Sequence, residues 1–190
     1  MRGFLAYYLT PLVLAALSLG VMMLGETGFE ALSYQRAAIV EGEVWRLLSG
    51  HWLHLGWGHL MLNLAGLILV WALFGQTLAG MQGVVVVLVV SVGLSLSLFV
   101  FHPELDWYVG YSGLLHGLFS AGAVIGLSLK TLRLVSAVGL ILLIVKLTAE
   151  TWAGASASWV VAEAHLLGAL WGLLGCMHIL IRNQKRGIRE

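Results

Sequence analysis

Charge is the first thing this sequence lacks. Only 10% of its 190 residues are Asp, Glu, Lys or Arg, while 60% are hydrophobic; soluble domains carry roughly 25% charged residues. So few ions cannot cover a water-facing surface, and an ordinary soluble domain is excluded. Cysteine is scarce too. Cys176 stands alone in an apolar run, so no intramolecular disulfide can form. Net charge is +1 and no stripe of Lys and Arg gathers anywhere, which leaves no electrostatic footprint for nucleic acid. Internal repeats and low-complexity linkers are absent as well. What these absences leave is a single integral membrane domain over residues 1–190, with the lipid bilayer as its first partner.

What is present is hydrophobic length. About 20 mostly apolar residues cross the hydrocarbon core, and six stretches qualify: 4–24, 58–74, 83–101, 112–129, 132–149 and 160–181. The expected fold is all-α, a polytopic bundle of six transmembrane helices. The third stretch is rich in valine, which favours strands in water. Its unbroken length predicts a helix, because open sheet edges are not tolerated in lipid. Arg2 before the first stretch invites a signal-peptide reading, but the stretch is long and lacks a small-x-small cleavage site.

Charge placement orients the bundle. With the N-terminus inside, Arg2, Lys130, Arg133, Arg182, Lys185, Arg186 and Arg189 fall on the cytoplasmic side. Arg36 and Arg46 fall opposite, diluted by Glu26, Glu30, Glu41, Glu43, Glu104 and Asp106. A Lys and Arg bias towards the cytoplasm sets topology, and six spans with both ends inside satisfy it. Segment 25–57, rich in Trp and His, is expected to be an ordered hairpin at the outer interface.

Polar residues can then be placed by depth, counting from the cytoplasmic ends. Ser112 lies eighteen residues above Lys130, roughly 27 Å at 1.5 Å per residue. His165 lies seventeen above Arg182 and His59 seventeen above Gln76, roughly 25 Å each. Asn63 sits one turn deeper than His59 on the same face. Three helices thus bring Ser112, His165 and His59 to one level. The faces Gly113-x-x-x-Gly117 and Gly168-x-x-x-Gly172 let two of those helices approach closely.

That combination has chemistry. Serine is a weak nucleophile until a base takes its proton, and His165 is the best-placed base. Ser112 opens a helix, so unpaired backbone N–H groups and the positive dipole end lie beside it. An oxyanion would be stabilised there, with His59 and Asn63 as side-chain donors. No Asp or Glu is expected at a depth that would orient His165; Glu163 faces elsewhere and Lys146–Glu150 reads as a snorkelling ion pair. The expectation is a Ser–His dyad.

The strings "WR" at 45–46, "HLMLN" at 59–63, "GYSG" at 110–113 and "AHLLG" at 164–168 resemble the motif set of rhomboid intramembrane serine proteases, in family order across nearly the whole chain. The resemblance implies Ser112 as nucleophile and His165 as general base. It gives the oxyanion hole to His59, Asn63 and the Ser112 backbone N–H, with Gly110 and Gly113 flanking the serine. Trp45-Arg46 matches a structural element of the first outer loop, and no cofactor or metal is implied. Where many rhomboids carry an aromatic that packs on the catalytic histidine, this chain has His116. It could replace that contact, bond to the dyad or help recognise substrate. "SGLLHG", with the short termini and six-span core, is similar to the rhombosortase branch. That branch implies single-span substrates carrying a C-terminal Gly-Gly signal, a transmembrane helix and a basic tail. The expected setting is a bacterial inner membrane, with cytoplasmic termini and a site open to the periplasm.

Other readings stay open. A rhomboid-like protein could bind membrane clients without cutting them, although such proteins typically lack the serine and histidine. A small transporter could use His51, His54 and His59; the "HWLH" string lacks the zinc-helix signature and a completing carboxylate, so His51 and His54 are expected in the interfacial hairpin. His102 and His178 sit at span ends with no role assigned.

Overall fold

The computed structural model describes residues 2–153 and 159–185. Residues 154–158, the C-terminal cations Arg186 and Arg189, and the side chains of Arg2, Arg182 and Lys185 lie outside the described residues.

Each of the six expected stretches is a helix. The valine-rich one is α6 (Met81–Phe101), preceded by α5 (Trp57–Leu78). With α8 (Arg133–Ala153) and α9 (Trp159–Lys185) they give four helices long and apolar enough to cross a bilayer. The other two differ from simple spans. α1 (Arg2–Met22) runs into α2 (Gly25–Leu32), with a bend of 116° between them. α7 (Ser112–Gly126) has only 15 residues. It rises about 22 Å, short of a hydrocarbon core of about 30 Å. A helix of that length cannot span the core by itself. The expected fourth span, 112–129, is thus three residues too long, because 127–132 turn back towards α8.

α7 can be short because it is the centre of the bundle and need not meet lipid. Leu114, Leu118, Ala121 and Ala123 are fully buried, packed with Leu67, Phe74 and Leu78 of α5 and Val86 and Val90 of α6. Its seam with α9 is made by glycine. A Cβ on Gly113 would lie 2.7 Å from the Ala164 carbonyl oxygen, and one on Gly117 would lie 2.7 Å from that of Gly168. Cβ atoms on Gly168 or Gly172 would collide with the carbonyls of Gly113 and Gly117. The two backbones touch, as the small-residue faces predict. Ser120 Oγ then donates across the seam to the Ala169 carbonyl at 2.8 Å.

Segment 25–56 is ordered. After α2 come β1 (Tyr34–Gln35), α3 (Arg36–Val40), α4 (Arg46–Ser49) and a single 3-10 turn, Gly50–Trp52. β1 pairs antiparallel with β2 (Trp107–Tyr108), Tyr34 opposite Tyr108, tying this segment to the connection that leads into α7. Arg46 is its buried rivet. Nη1 donates to the Glu30 and Ser33 carbonyls at 2.8 Å each, and Nε pairs with Glu43 at 2.6 Å. His51 and His54 lie in this segment, as expected. Both are buried within the protein, because His51 Nε2 bonds to the Ser91 carbonyl at 2.9 Å and contacts Ser95 Oγ at 3.0 Å, docking the segment onto α6.

Candidate active site

Ser112 is the first residue of α7, and its position follows from the turn before it. Gly110 has φ +110°, a conformation that residues with a Cβ rarely adopt. Its N–H donates to the Gly50 carbonyl at 3.1 Å, so the 25–56 segment fixes the turn. The first α-type bond of the helix runs from the Leu115 N–H to the Tyr111 carbonyl at 2.8 Å. The N–H groups of Ser112, Gly113 and Leu114 precede it and have no partner within the helix. A hydroxyl therefore stands at a helix start among N–H groups that the helix itself does not use.

His59 and Asn63, one turn apart near the start of α5, border this place. A Cβ on Gly110 would lie 2.9 Å from His59 Cε1, so the imidazole rests against the turn. Leu55 N–H donates to His59 Nδ1 at 3.4 Å, which leaves Nε2 as the protonated, donating nitrogen. Asn63 is buried and its Nδ2 has no hydrogen-bond partner. An amide donor buried without a partner costs about 1–3 kcal/mol, a strain that an incoming acceptor would relieve. His54 packs edge-on against His59 and Tyr111, with ring centroids 5.0 and 4.8 Å away.

His165 comes from α9, next to Ala164 in the glycine seam. Its Nε2 is buried and without a hydrogen-bond partner. Ser112 and His165, the expected nucleophile and base, thus adjoin the touching Gly113 and Ala164 but are not bonded to each other, as is common for such pairs before substrate binds. His116 lies between them in chemistry. Its ring stacks on His165 at 4.0 Å and 21°, and its Nδ1 donates to the Ser112 carbonyl at 2.7 Å. Of its three expected roles the geometry displays two, the ring contact and a bond to a dyad residue, the latter to the Ser112 backbone.

Two neighbours were not expected. Glu150 Oε2 lies 3.0 Å from His165 Nδ1, while its Oε1 receives Lys146 Nζ at 2.7 Å. The expectation that no carboxylate reaches His165 is corrected: the Lys146–Glu150 pair exists, but it turns one oxygen inward. A signal was available, since Glu150 lies seventeen residues above Arg133, the same depth as His165 above Arg182. Tyr108 is the second. Its buried hydroxyl is pushed up to about 12 by burial, with the Ser112 hydroxyl and Gly113 N–H pulling the other way.

The Rhomboid domain family profile matches residues 41–182. The chain belongs to the rhomboid family. Rhomboids are intramembrane serine proteases, and the serine, histidines and asparagine of the expected motifs all fall inside the matched region. No curated protein matches the chain.

The rhomboid site also has a lateral side. A cavity of about 700 Å³ lies between α5, α7 and α8, lined almost wholly by apolar side chains such as Leu73, Leu115, Phe119 and Leu142. His116 and Lys146 are its polar members, so it reaches the ring stacked on His165. Side-chain ligand atoms of His116, Glu150 and His165 also lie within 4.8 Å of one another, near enough to consider a metal ion. Stacked, nearly parallel imidazoles direct their lone pairs side by side rather than to one point, and Lys146 already occupies the carboxylate.

Proposed function

We propose that this rhomboid hydrolyses a peptide bond near the outer end of a substrate's transmembrane helix. His165 Nε2 takes the Ser112 proton as Oγ attacks the scissile carbonyl carbon. The resulting oxyanion is held by the Ser112 N–H, His59 and Asn63. The imidazolium then passes its proton to the leaving amine, and water, activated by the same nitrogen, hydrolyses the acyl-enzyme. The observation that carries this reading is the pairing of a serine at a helix start with a histidine whose Nε2 is buried and unpartnered.

The substrate would enter from the side. A transmembrane helix has its backbone fully bonded and must unwind locally before attack, and the apolar cavity between α5 and α8 offers it a lipid-like path. By the same reading the site opens to the periplasmic side of a bacterial inner membrane, and the substrates are single-span proteins. The rhombosortase resemblance adds a C-terminal Gly-Gly signal ahead of the substrate helix.

Labelling membranes with a serine-reactive fluorophosphonate tests the core of the proposal without a known substrate. Wild type labels, and Ser112→Ala and His165→Ala do not; equal labelling of all three removes Ser112 as the activated nucleophile. Cross-linking α5 to α8 is expected to block cleavage, and full activity in the cross-linked protein rules out entry there. Replacing Gly-Gly in a candidate tail abolishes processing if the branch is right, whereas unchanged cleavage leaves a protease of another specificity.

A further inference from the structure

The two nitrogens of His165 are in opposite situations. Nδ1 is 3.0 Å from a carboxylate oxygen and Nε2 is buried with no partner. A carboxylate only accepts, so the one hydrogen of a neutral imidazole belongs on Nδ1 and the lone pair on Nε2. That is the tautomer a serine base needs. The carboxylate is itself fixed, because Lys146, one turn earlier on α8, holds its other oxygen. His116 holds the ring by its face. Edge and face of the imidazole are both set, and the edge contact comes from a different helix than the base.

We infer that Glu150 is a positioning residue of this site, fixing the tautomer and orientation of His165, so that Ser112, His165 and Glu150 act as a unit with Lys146 as the clamp. The inference rests on the serine protease reading. Among the described residues, the groups facing His165 are His116 from α7 and Glu150 and Lys146 from α8, so its charged partners lie on α8. Aspartate in place of glutamate is one methylene short, and glutamine keeps the shape while losing the charge and offering an N–H to the wrong nitrogen.

The test is fluorophosphonate labelling of the full-length protein in membranes, resolved into kinact and KI. It compares wild type, Ser112→Ala, Glu150→Gln, Glu150→Asp and Lys146→Met. Glu150→Gln is expected to lower kinact roughly 10²- to 10⁴-fold with KI unchanged, the size seen when an orienting acid loses its charge. Glu150→Asp recovers part of that loss, and Lys146→Met costs less than Glu150→Gln. Thermal unfolding of the Gln variant matches wild type.

A Glu150→Gln rate within about threefold of wild type, with Ser112-dependent labelling intact, overturns the inference and spares the protease. A loss of rate that tracks a fall in melting temperature makes Glu150 a structural anchor and overturns it too. Zn²⁺ or a chelator changing the wild-type rate, but not that of Glu150→Gln, assigns the His116–Glu150–His165 cluster to a metal ion instead. Labelling independent of Ser112 removes the protease reading and this one together.

Discussion

The α7–α9 seam and helix α8 both contribute to the surroundings of His165, yet the protein holds them in opposite ways. In the seam, glycines bring backbone against backbone, and a single added carbon at Gly168 has nowhere to go. α8 is mostly uncovered by protein: 17% of its apolar window is buried, against 47% of that of α9. Ser136, Gly139 and Leu143 are its buried members among the described residues. The proposed nucleophile and base thus sit where relative motion is hardest, while the carboxylate that meets the base rides on the least buried long helix, beside the lateral cavity. If substrate enters from the side, as proposed, α8 is the wall with the least packing to lose.

Breaking the seam should have the largest effect. Gly168→Val drives a branched side chain into the Gly113 carbonyl, for which the neighbouring backbone cannot make room. We expect loss of folded protein in detergent, a cost above about 3 kcal/mol, read by thermal unfolding. Leu118→Ala, a cavity at the centre of α7, should cost about 2–5 kcal/mol by the same assay. A comparable truncation on α8 sharpens the contrast. Ile141→Ala, at 61% exposure, should stay within about 0.5 kcal/mol of wild type. Equal costs for Leu118 and Ile141 would dissolve the distinction.

Acid should act on a third region, the 25–56 segment that fixes the Gly110 turn. Burial, aided by the charge of neighbouring His59, pushes His54 down to about 4, and burial pushes His51 down as well. An unfolded histidine takes its proton near pH 6.5, so the unfolded chain binds more protons between about 6.5 and 4. Stability is then full above that window and falls as pH drops through it, by roughly 3 kcal/mol for His54 alone. Melting temperatures measured from pH 7.5 to 4.5 check this. His54→Gln, which cannot titrate, should flatten the slope, leaving the remainder to His51 and other groups.

Much of the fold was legible because a bilayer imposes a length. Stretches of about 20 apolar residues have one way to satisfy their backbone in lipid, so even the valine-rich 83–101 could be read as helix. The glycine faces were legible for a related reason, since close helix contact in lipid depends on small residues. Glu150 was misread because Lys and Glu four apart is an ordinary surface pattern on any helix. Periodicity shows that the two side chains meet, not that the second carboxylate oxygen has another partner. The burial of His51 and His54 was not legible for a similar reason: only the docking of Gly50–Trp52 on α6 covers His51, and only packing against His59 and Tyr111 covers His54.

By itself, then, the sequence determined that the chain is a membrane protein and where its apolar helices run, because each is a matter of counting residues against a fixed thickness and a fixed rise. The tertiary structure alone decided which faces of those helices meet. It turned His116 flat against His165, aimed Asn63 inward, and carried a glutamate from the loosest long helix to the one imidazole edge that needs an acceptor. Rotation about a helix axis is set by packing against neighbours, and packing is a property of the whole bundle.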